Sequence, residues 1–417
     1  MNENSCLTSV TFENYRAFKS KSTIRINKLT LLFGYNNAGK SALIRMLPFL
    51  ADSFKNKKTS EYTKSYMDYT SSSLRGALFE DIRHKSARKI RFGLKWSDDL
   101  GISFSIQQNG MEPEYLSELI LSKGAIVNKY EMSLDSKDSF ENIQDDSDVI
   151  ILKSFNEISD GELKTNIINY SESIHWVSST RVHPPREFEI GIGVKIGVNP
   201  DGSRVGETIW HLAENKSASF DDINNWLSKT CNRHFEFKSS SSSVTSAGRR
   251  KVKLETVANE EFEMNSAPVN IPILDSGEGI AQALPVVTIC AMAANGELGK
   301  CPIVVIEQPE LHLHPKAIVV LANYIVECTE KNVNARILVE THSESFLLAL
   351  QTAIIDRKLK LNDFSCYWVG RENNESHIQK VEFDSEGYII GNWPQSVFRE
   401  TVNQSKELLN KRKKMVL

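Results

Sequence analysis

Leu31-Leu32-Phe33-Gly34-Tyr35-Asn36-Asn37-Ala38-Gly39-Lys40-Ser41 is a complete phosphate-binding loop, G-x-x-x-x-G-K-S, and its flanks decide the fold. An apolar, strand-like run precedes it, and the helical pattern Ala42-Leu43-Ile44-Arg45-Met46-Leu47 follows. Strand, glycine-rich loop and helix in that order are the context in which the motif carries physical meaning. The glycines let successive backbone N–H groups converge on phosphate oxygens, and the helix N-terminus adds positive potential. Asn36, Asn37, Ala38 and Gly39 then line the loop, Lys40 reaches the β- and γ-phosphates, and Ser41 is a ligand of Mg2+. The stretch predicts a nucleoside triphosphate site.

Working outward, residues 7–33 alternate as strands before the loop, and the helix after it runs to about Phe54. Residues 55–73 are polar and read as a mobile loop, while 88–108 return to strands of an antiparallel sheet beside the nucleotide core. From 110 to 175 the pattern is mixed and acidic, which reads as an inserted lobe. A strand over 174–177 leads to the turn-rich Thr180-Arg181-Val182-His183-Pro184-Pro185-Arg186, and a helical pattern around Trp210, Leu212, Trp226 and Leu227 follows. Ser239-Ser240-Ser241-Ser242-Ser243 reads as a flexible loop leading into a basic stretch. Helices over 280–294 and 316–330 then alternate with buried-strand patterns over 302–307 and 336–342. Buried apolar strands alternating with helices predict an α/β core with a mostly parallel sheet. The expected divisions are 1–109 and 271–360 for two parts of one core, 110–175 for the lobe, 176–270 for an associated segment, and 361–417 for a small C-terminal domain.

Composition sets the bounds. The 417 residues exceed the usual size of one domain, and 40% hydrophobic with 25% charged residues is ordinary for a globular chain. A formal net charge of −3 supplies no global field toward DNA or membranes. Six cysteines without paired spacing read as small buried hydrophobes in a reducing compartment. The first residues lack a charged and an apolar region, so no signal peptide is expected, and no apolar run is long enough for a membrane span. The expected location is cytoplasmic.

Three further motifs bear on chemistry. Ser276-Gly277-Glu278-Gly279 is a glycine-rich turn opening a helix, a second potential anion site that would face a phosphate held by another subunit. A Ser N-cap on an ordinary turn accounts for it equally well. Glu307 ends a buried strand, where a carboxylate is well placed to hold the Mg2+ shell, and Gln308-Pro309-Glu310 follow. His342, in Glu340-Thr341-His342-Ser343, ends the next strand and would hydrogen-bond the γ-phosphate and report its loss.

In that order these motifs resemble ABC-type ATPases of the RecF/SMC/Rad50 kind. Closer still is the resemblance to prokaryotic AAA-family ATPases related to the overcoming-lysogenization-defect ATPases. Phe12-Glu13-Asn14-Tyr15-Arg16-Ala17-Phe18, Thr180-Arg181 and Pro184-Pro185-Arg186 match as well, and residues 367–394 resemble the small C-terminal domain of one branch. The resemblance covers both ends well and residues 55–170 and 205–265 poorly. It implies a P-loop NTPase of α/β class: an ABC-ATPase-like head with a mixed central sheet, an antiparallel β subdomain, an inserted lobe and no long coiled coil. It implies ATP and Mg2+ as cofactors and a head-to-tail homodimer or higher oligomer. Gly39, Lys40, Ser41 and Glu307 of one copy would meet Ser276, Gly277 and Glu278 of the other, with Arg16 approaching the nucleotide. Gln308 departs from the usual Glu, and an amide cannot accept a proton from water. Slow turnover assisted by Glu310 or His342 is therefore expected, which suits a switch.

Relatives of this kind often serve antiphage defence, with a separate nuclease or toxin as effector. The rival readings are a DNA-repair ATPase acting on DNA directly and a non-hydrolysing, ATP-bound scaffold. The basic runs around residues 83–91, 249–253 and 411–414 are candidates for nucleic-acid contact, although solvated faces explain most such runs. His312 and His314 lack the third ligand a zinc site needs. No D-x-D with an upstream Glu follows residue 345, which weighs against a nuclease in this chain.

Overall fold

The computed structural model describes residues 5–55, 65–110, 112, 114–132, 139–143, 149–152, 154–191, 196–244, 250–259, 269–391 and 400–415. The chain opens with β1 (Leu7–Glu13), β2 (Ser22–Arg25) and β3 (Leu29–Gly34), which runs through the phosphate loop into α1 (Lys40–Phe54). A single helical turn, α2 (Phe79–Ile82), precedes β4 (Lys89–Trp96), β5 (Leu100–Gln107), β6 (Tyr115–Lys123), β7 (Ile126–Met132), β8 (Ser139–Asn142) and β9 (Val149–Ile151). Next come α3 (Gly161–Ser173), β10 (Ile174–Val177), β11 (Phe188–Ile190), α4 (Val205–Glu214) and α5 (Ala218–Cys231). A small sheet holds β12 (Arg233–Val244), β13 (Arg250–Ala258) and β14 (Ile271–Pro272) together with β11. The last part alternates α6 (Glu278–Ala294), β15 (Ile303–Glu307), α7 (Pro315–Lys331), β16 (Arg336–Thr341) and α8 (Glu344–Ile355). It ends with β17 (Phe364–Glu372), β18 (Glu375–Phe383), β19 (Ile389–Ile390) and α9 (Glu400–Met415).

The central sheet has the order β10-β15-β16-β3-β17-β18-β19, and its first five strands are mutually parallel. Strand alternation sends side chains to two different cores. Leu31, Phe33, Val304, Ile306, Ile337 and Val339 pack with α4–α8 on one face. Leu32, Ile303, Val305 and Leu338 pack on the other face with α1 and the antiparallel sheet β2-β1-β4-β5-β6-β7-β8-β9. Apolar residues on both faces are what a doubly covered parallel sheet requires. Among the described residues the longest helices have 17 residues, so no long coiled coil appears there.

Residues 110–175 supply β6–β9, which continue the antiparallel sheet, and α3, whose Tyr170 hydroxyl donates to Leu47 O of α1. Much of the polar segment 55–73, and Asn392 to Pro394, lie outside the described residues. Two expectations are corrected. Ser239 to Ser243 lie within β12 rather than a loop: Ser239 pairs with Val252 and Val244 with Arg250 of β13, with an irregularity of the ladder between them. The cysteines are not all buried thiols: Cys6 and Cys301 are bonded across 295 residues of sequence, and Cys231 is exposed. A pair so distant leaves no spacing signal, since only the folded chain brings the residue before β1, in one sheet, beside the entry to β15, in the other.

Candidate nucleotide site

The site lies where β3, β15 and β16 end. In register, Glu340 stands beside Glu307 on one side and Leu32 on the other. Neighbours in a parallel ladder share a face, so the two carboxylates point the same way, toward the N-terminus of α1. The loop between is bent by Asn37 (φ 62°) and Gly39 (φ 102°). Gly34 is forced to be glycine, because a Cβ there would lie 2.2 Å from the Val369 carbonyl oxygen of β17. Asn36 and Asn37 are exposed and Ala38 is buried.

Lys40 is buried, and its Nζ donates to the carbonyls of Gly34 (2.8 Å) and Tyr35 (2.6 Å). Burial pushes its pKa down to about 8, against the opposing pull of Glu340 and Glu310. His342 joins the same carbonyl: its Nδ1 lies 3.0 Å from Gly34 O, which can only accept, so Nδ1 carries the proton. Burial and the nearby Lys40 charge keep this imidazole below its ordinary pKa, hence neutral. The His342 backbone N–H donates to Glu310 Oε1 (2.9 Å), and burial lifts the Glu310 carboxyl above the usual range.

Ser41 Oγ donates to Glu340 Oε1 at 2.6 Å. Burial, reinforced by Glu307, raises Glu340 to about 7, while the Ser41 bond and the charges of Lys40 and Arg45 pull the other way. The remaining oxygens Glu340 Oε2 and Glu310 Oε2 are buried without a hydrogen-bond partner. Glu307 is fully buried and heavily engaged. Arg45 Nε and Nη2 donate to its two oxygens (2.7 and 2.5 Å), with Trp176 Nε1 (3.0 Å) and Ser179 Oγ (3.1 Å) completing the shell. Gln308 adopts φ 43° and is fixed on both sides of its backbone. Its N–H donates to Glu340 O (2.8 Å) and its carbonyl accepts from Arg181 Nη2 (2.8 Å).

The fold thus brings together the loop, Lys40, Ser41, Glu307, Gln308, Glu310 and His342. Arg16 (φ 52°) lies beside the loop, sharing a cavity with Asn37 and Gly39. Ser276, Gly277 and Glu278 stand apart at the start of α6. Ser276 Oγ is 3.1 Å from Thr256 Oγ1 of β13, and Glu278 faces His312 (3.6 Å) and His183 (3.9 Å). The His-x-His pair is split, since His314 Nδ1 caps α7 by accepting from Lys316 N–H. Arg83 and Arg91, from the first basic run, are occupied internally by Glu80 and Glu118.

Sequence reasoning missed Glu340, Arg45, Trp176 and Ser179 as site residues. Two signals were available. Arg45 lies one helical turn beyond Ser41 and so shares its face. Glu340 resembles Glu307 in following a buried apolar run at the C-terminal end of its strand.

Residues 29–349 match the model of a family described as AAA domain, putative AbiEii toxin, Type IV TA system. The Old nuclease of Escherichia phage P2 is 22% identical over 366 residues, which cover 83% of this chain and 58% of that protein. The chain therefore spans less than two thirds of that relative's length. Among solved structures, the SMC head bound to the C-winged helix domain of ScpA aligns over 91% of this chain and 98% of that one, with a TM-score of 0.51 at 10% identity. At such identity the likeness concerns the fold alone, which is the ABC-ATPase-like α/β fold of an SMC head. With the family match covering well over half of the 417 residues and enclosing the phosphate loop, both acid-bearing strand ends and His342, the chain belongs to this AAA-domain family.

Proposed function

We propose that this chain binds ATP with Mg2+ on the phosphate loop and hydrolyses it slowly as a nucleotide-gated switch. The carrying observation is the convergence of Lys40, Ser41, Glu340, Glu310 and His342 around one loop carbonyl and one helix N-terminus. The donor set fits a hard cation: Ser41 Oγ and Glu340 would hold Mg2+, since Glu340 Oε2 is buried without a partner. Glu307, held by Arg45, stands behind them and adds its charge. When bound, the ion neutralises phosphate charge. Lys40 binds the β- and γ-phosphates, and His342 senses the γ-phosphate beside the Gly34 carbonyl. Gln308 orients water without taking its proton, and Glu310 is the nearby carboxylate able to assist.

Two copies close head to tail in this reading, each placing Ser276, Gly277 and Glu278 over the other's loop. The start of α6 supports it: Gly277 is exposed at φ 103°, and a Cβ added there would meet no atom within 4 Å. The helix N-terminus is therefore open to an incoming phosphate. The reading includes a role in antiphage defence with a separate nuclease or toxin as effector; the family description names a putative toxin of a toxin–antitoxin system, and the phage relative is named a nuclease. Single-turnover ATP hydrolysis is the test. Gln308→Glu should accelerate cleavage by about 100-fold, the lower end of general-base effects. Fast cleavage that is indifferent to residue 308 would refute the switch.

A further inference from the structure

Arg181, in the turn after β10, is a buried cation outside the phosphate loop. It is 6% exposed, and its hydrogen bonds go to backbone carbonyls rather than carboxylates. Nη1 donates to Glu307 O (3.1 Å) and Nη2 to Gln308 O (2.8 Å), so one guanidinium fork spans two consecutive carbonyls at the end of β15. Successive residues of a strand face opposite ways. Both carbonyls reach one side chain because the chain turns at Gln308, whose φ is 43°. A non-glycine residue persists in that left-handed region where its surroundings over-determine it. Arg181 supplies that constraint together with the bond from Gln308 N–H to Glu340 O (2.8 Å).

The turn that carries Arg181 is itself fixed. Ser178 N–H donates to Pro200 O (2.7 Å) and Val182 N–H to Asp201 O (2.8 Å). Gly202 (φ 79°) is wedged behind, since a Cβ there would lie 2.7 Å from Pro285 Cγ of α6 and 3.7 Å from Arg181 Cβ. Arg181 is thus backed by α6 and aimed at the strand end. Burial pulls its pKa down to about 10, against the charges of Glu310 and Glu307, so it stays a cation at neutral pH. A buried cation that meets only carbonyls is costly, and here Nε is buried with no partner. Packing alone would be better served by a neutral side chain. Within the field of this charge lies Glu310, two residues after Gln308, whose Oε2 is buried and unpartnered.

We propose that Arg181 is a positioning residue for hydrolysis: it holds the bend at Glu307 and Gln308 so that the Gln308 amide faces the attacking water and the Glu310 carboxylate stays beside it. The inference rests on the ATPase reading and deepens it at the same site. The Gln308 side chain is half-buried, and the direction in which it leaves the chain is set by the backbone that Arg181 grips. Arg181 acts through residue 308 and meets no phosphate in this scheme. Its loss therefore slows cleavage and spares ATP binding.

The test measures ATP affinity and single-turnover cleavage at saturating ATP and Mg2+ on the full chain. Its variants are Arg181→Met, which keeps length without donors, and Arg181→Lys, which keeps the charge but loses the fork. Each should slow cleavage about 10-fold, the loss of one charge-assisted hydrogen bond, with ATP affinity within about 2-fold. The decisive readout is the effect of Gln308→Glu in each background. It should accelerate the unaltered chain about 100-fold and either Arg181 variant less than about 10-fold, because a carboxylate at 308 is no longer aimed. If Gln308→Glu accelerates all three chains by the same large factor, positioning by Arg181 is wrong and the ATPase reading stands. If both Arg181 variants lose ATP binding, the residue is structural and the proposal is likewise overturned. If Gln308→Glu leaves the unaltered chain unchanged, the reading of Gln308 fails and takes the role of Arg181 with it.

Discussion

Arg45 delivers two guanidinium nitrogens to Glu307, a carboxylate with no exposed surface. Removing one partner of a buried pair leaves a charge without compensation, which costs more than the pair contributes. Arg45→Met should therefore destabilise the chain by about 3–5 kcal/mol in denaturant melts, and adding Glu307→Gln should recover much of that loss. A loss below about 1 kcal/mol would show that Glu307 is not the charge that Arg45 compensates. Glu340 makes a pH-dependent prediction. Its carboxyl titrates near 7 in the fold, above its ordinary value, because burial disfavours the charged form. Its contribution to stability is then complete below the unfolded value and is lost as pH rises through about 7. In chelator without nucleotide, Glu340→Gln should raise the melting temperature more at pH 8 than at pH 5. An equal change at both values would contradict the raised pKa. These residues show why the site was only half legible. Lys40, Ser41 and His342 announce themselves by motif, whereas the helical spacing of Arg45 and the position of Glu340 near a strand end are weak signals that become decisive only in the register of β16 beside β15.

At the scale of elements, β3 is the seam. It lies between β16 and β17, and the close approach of Gly34 to Val369 lets the loop begin while still inside the sheet. Gly34→Ala must displace backbone rather than a flexible side chain, so the β3–β17 pairing should open and ATP binding should fall to background. The readouts are hydrogen exchange at β17 amides together with nucleotide titration, and unchanged protection at Val369 with normal binding would contradict the seam. Sequence patterns gave α1, α6, α7, β15 and β16 nearly to the residue, because apolar runs and helix periodicity are local signals. They did not give the partner of β17, which is β3 from the other end of the chain, or the strand nature of Ser239 to Ser243, whose residue type carries no strand signal. The same limit hid the bond between Cys6 and Cys301.

Across the whole molecule, the head joins segments from both ends of the chain around one sheet. The motif order was enough to predict this, while the continuation of the antiparallel sheet through residues 115–151 carried no comparable local mark. The starts of α1 and α6 are proposed to complete one phosphate site between two copies. Within one chain α1 opens onto the acids of β15 and β16, whereas α6 opens onto the surface beside the small β11–β14 sheet. Each copy is thus proposed to lend the start of α6 to its neighbour's nucleotide. Sedimentation velocity with ATP and Mg2+, run on the unaltered chain, Lys40→Ala and Ser276→Arg, measures this directly. A dimer is expected only for the unaltered chain with nucleotide, and monomers for both variants. A Lys40→Ala protein that self-associates as the unaltered chain does would contradict the shared site.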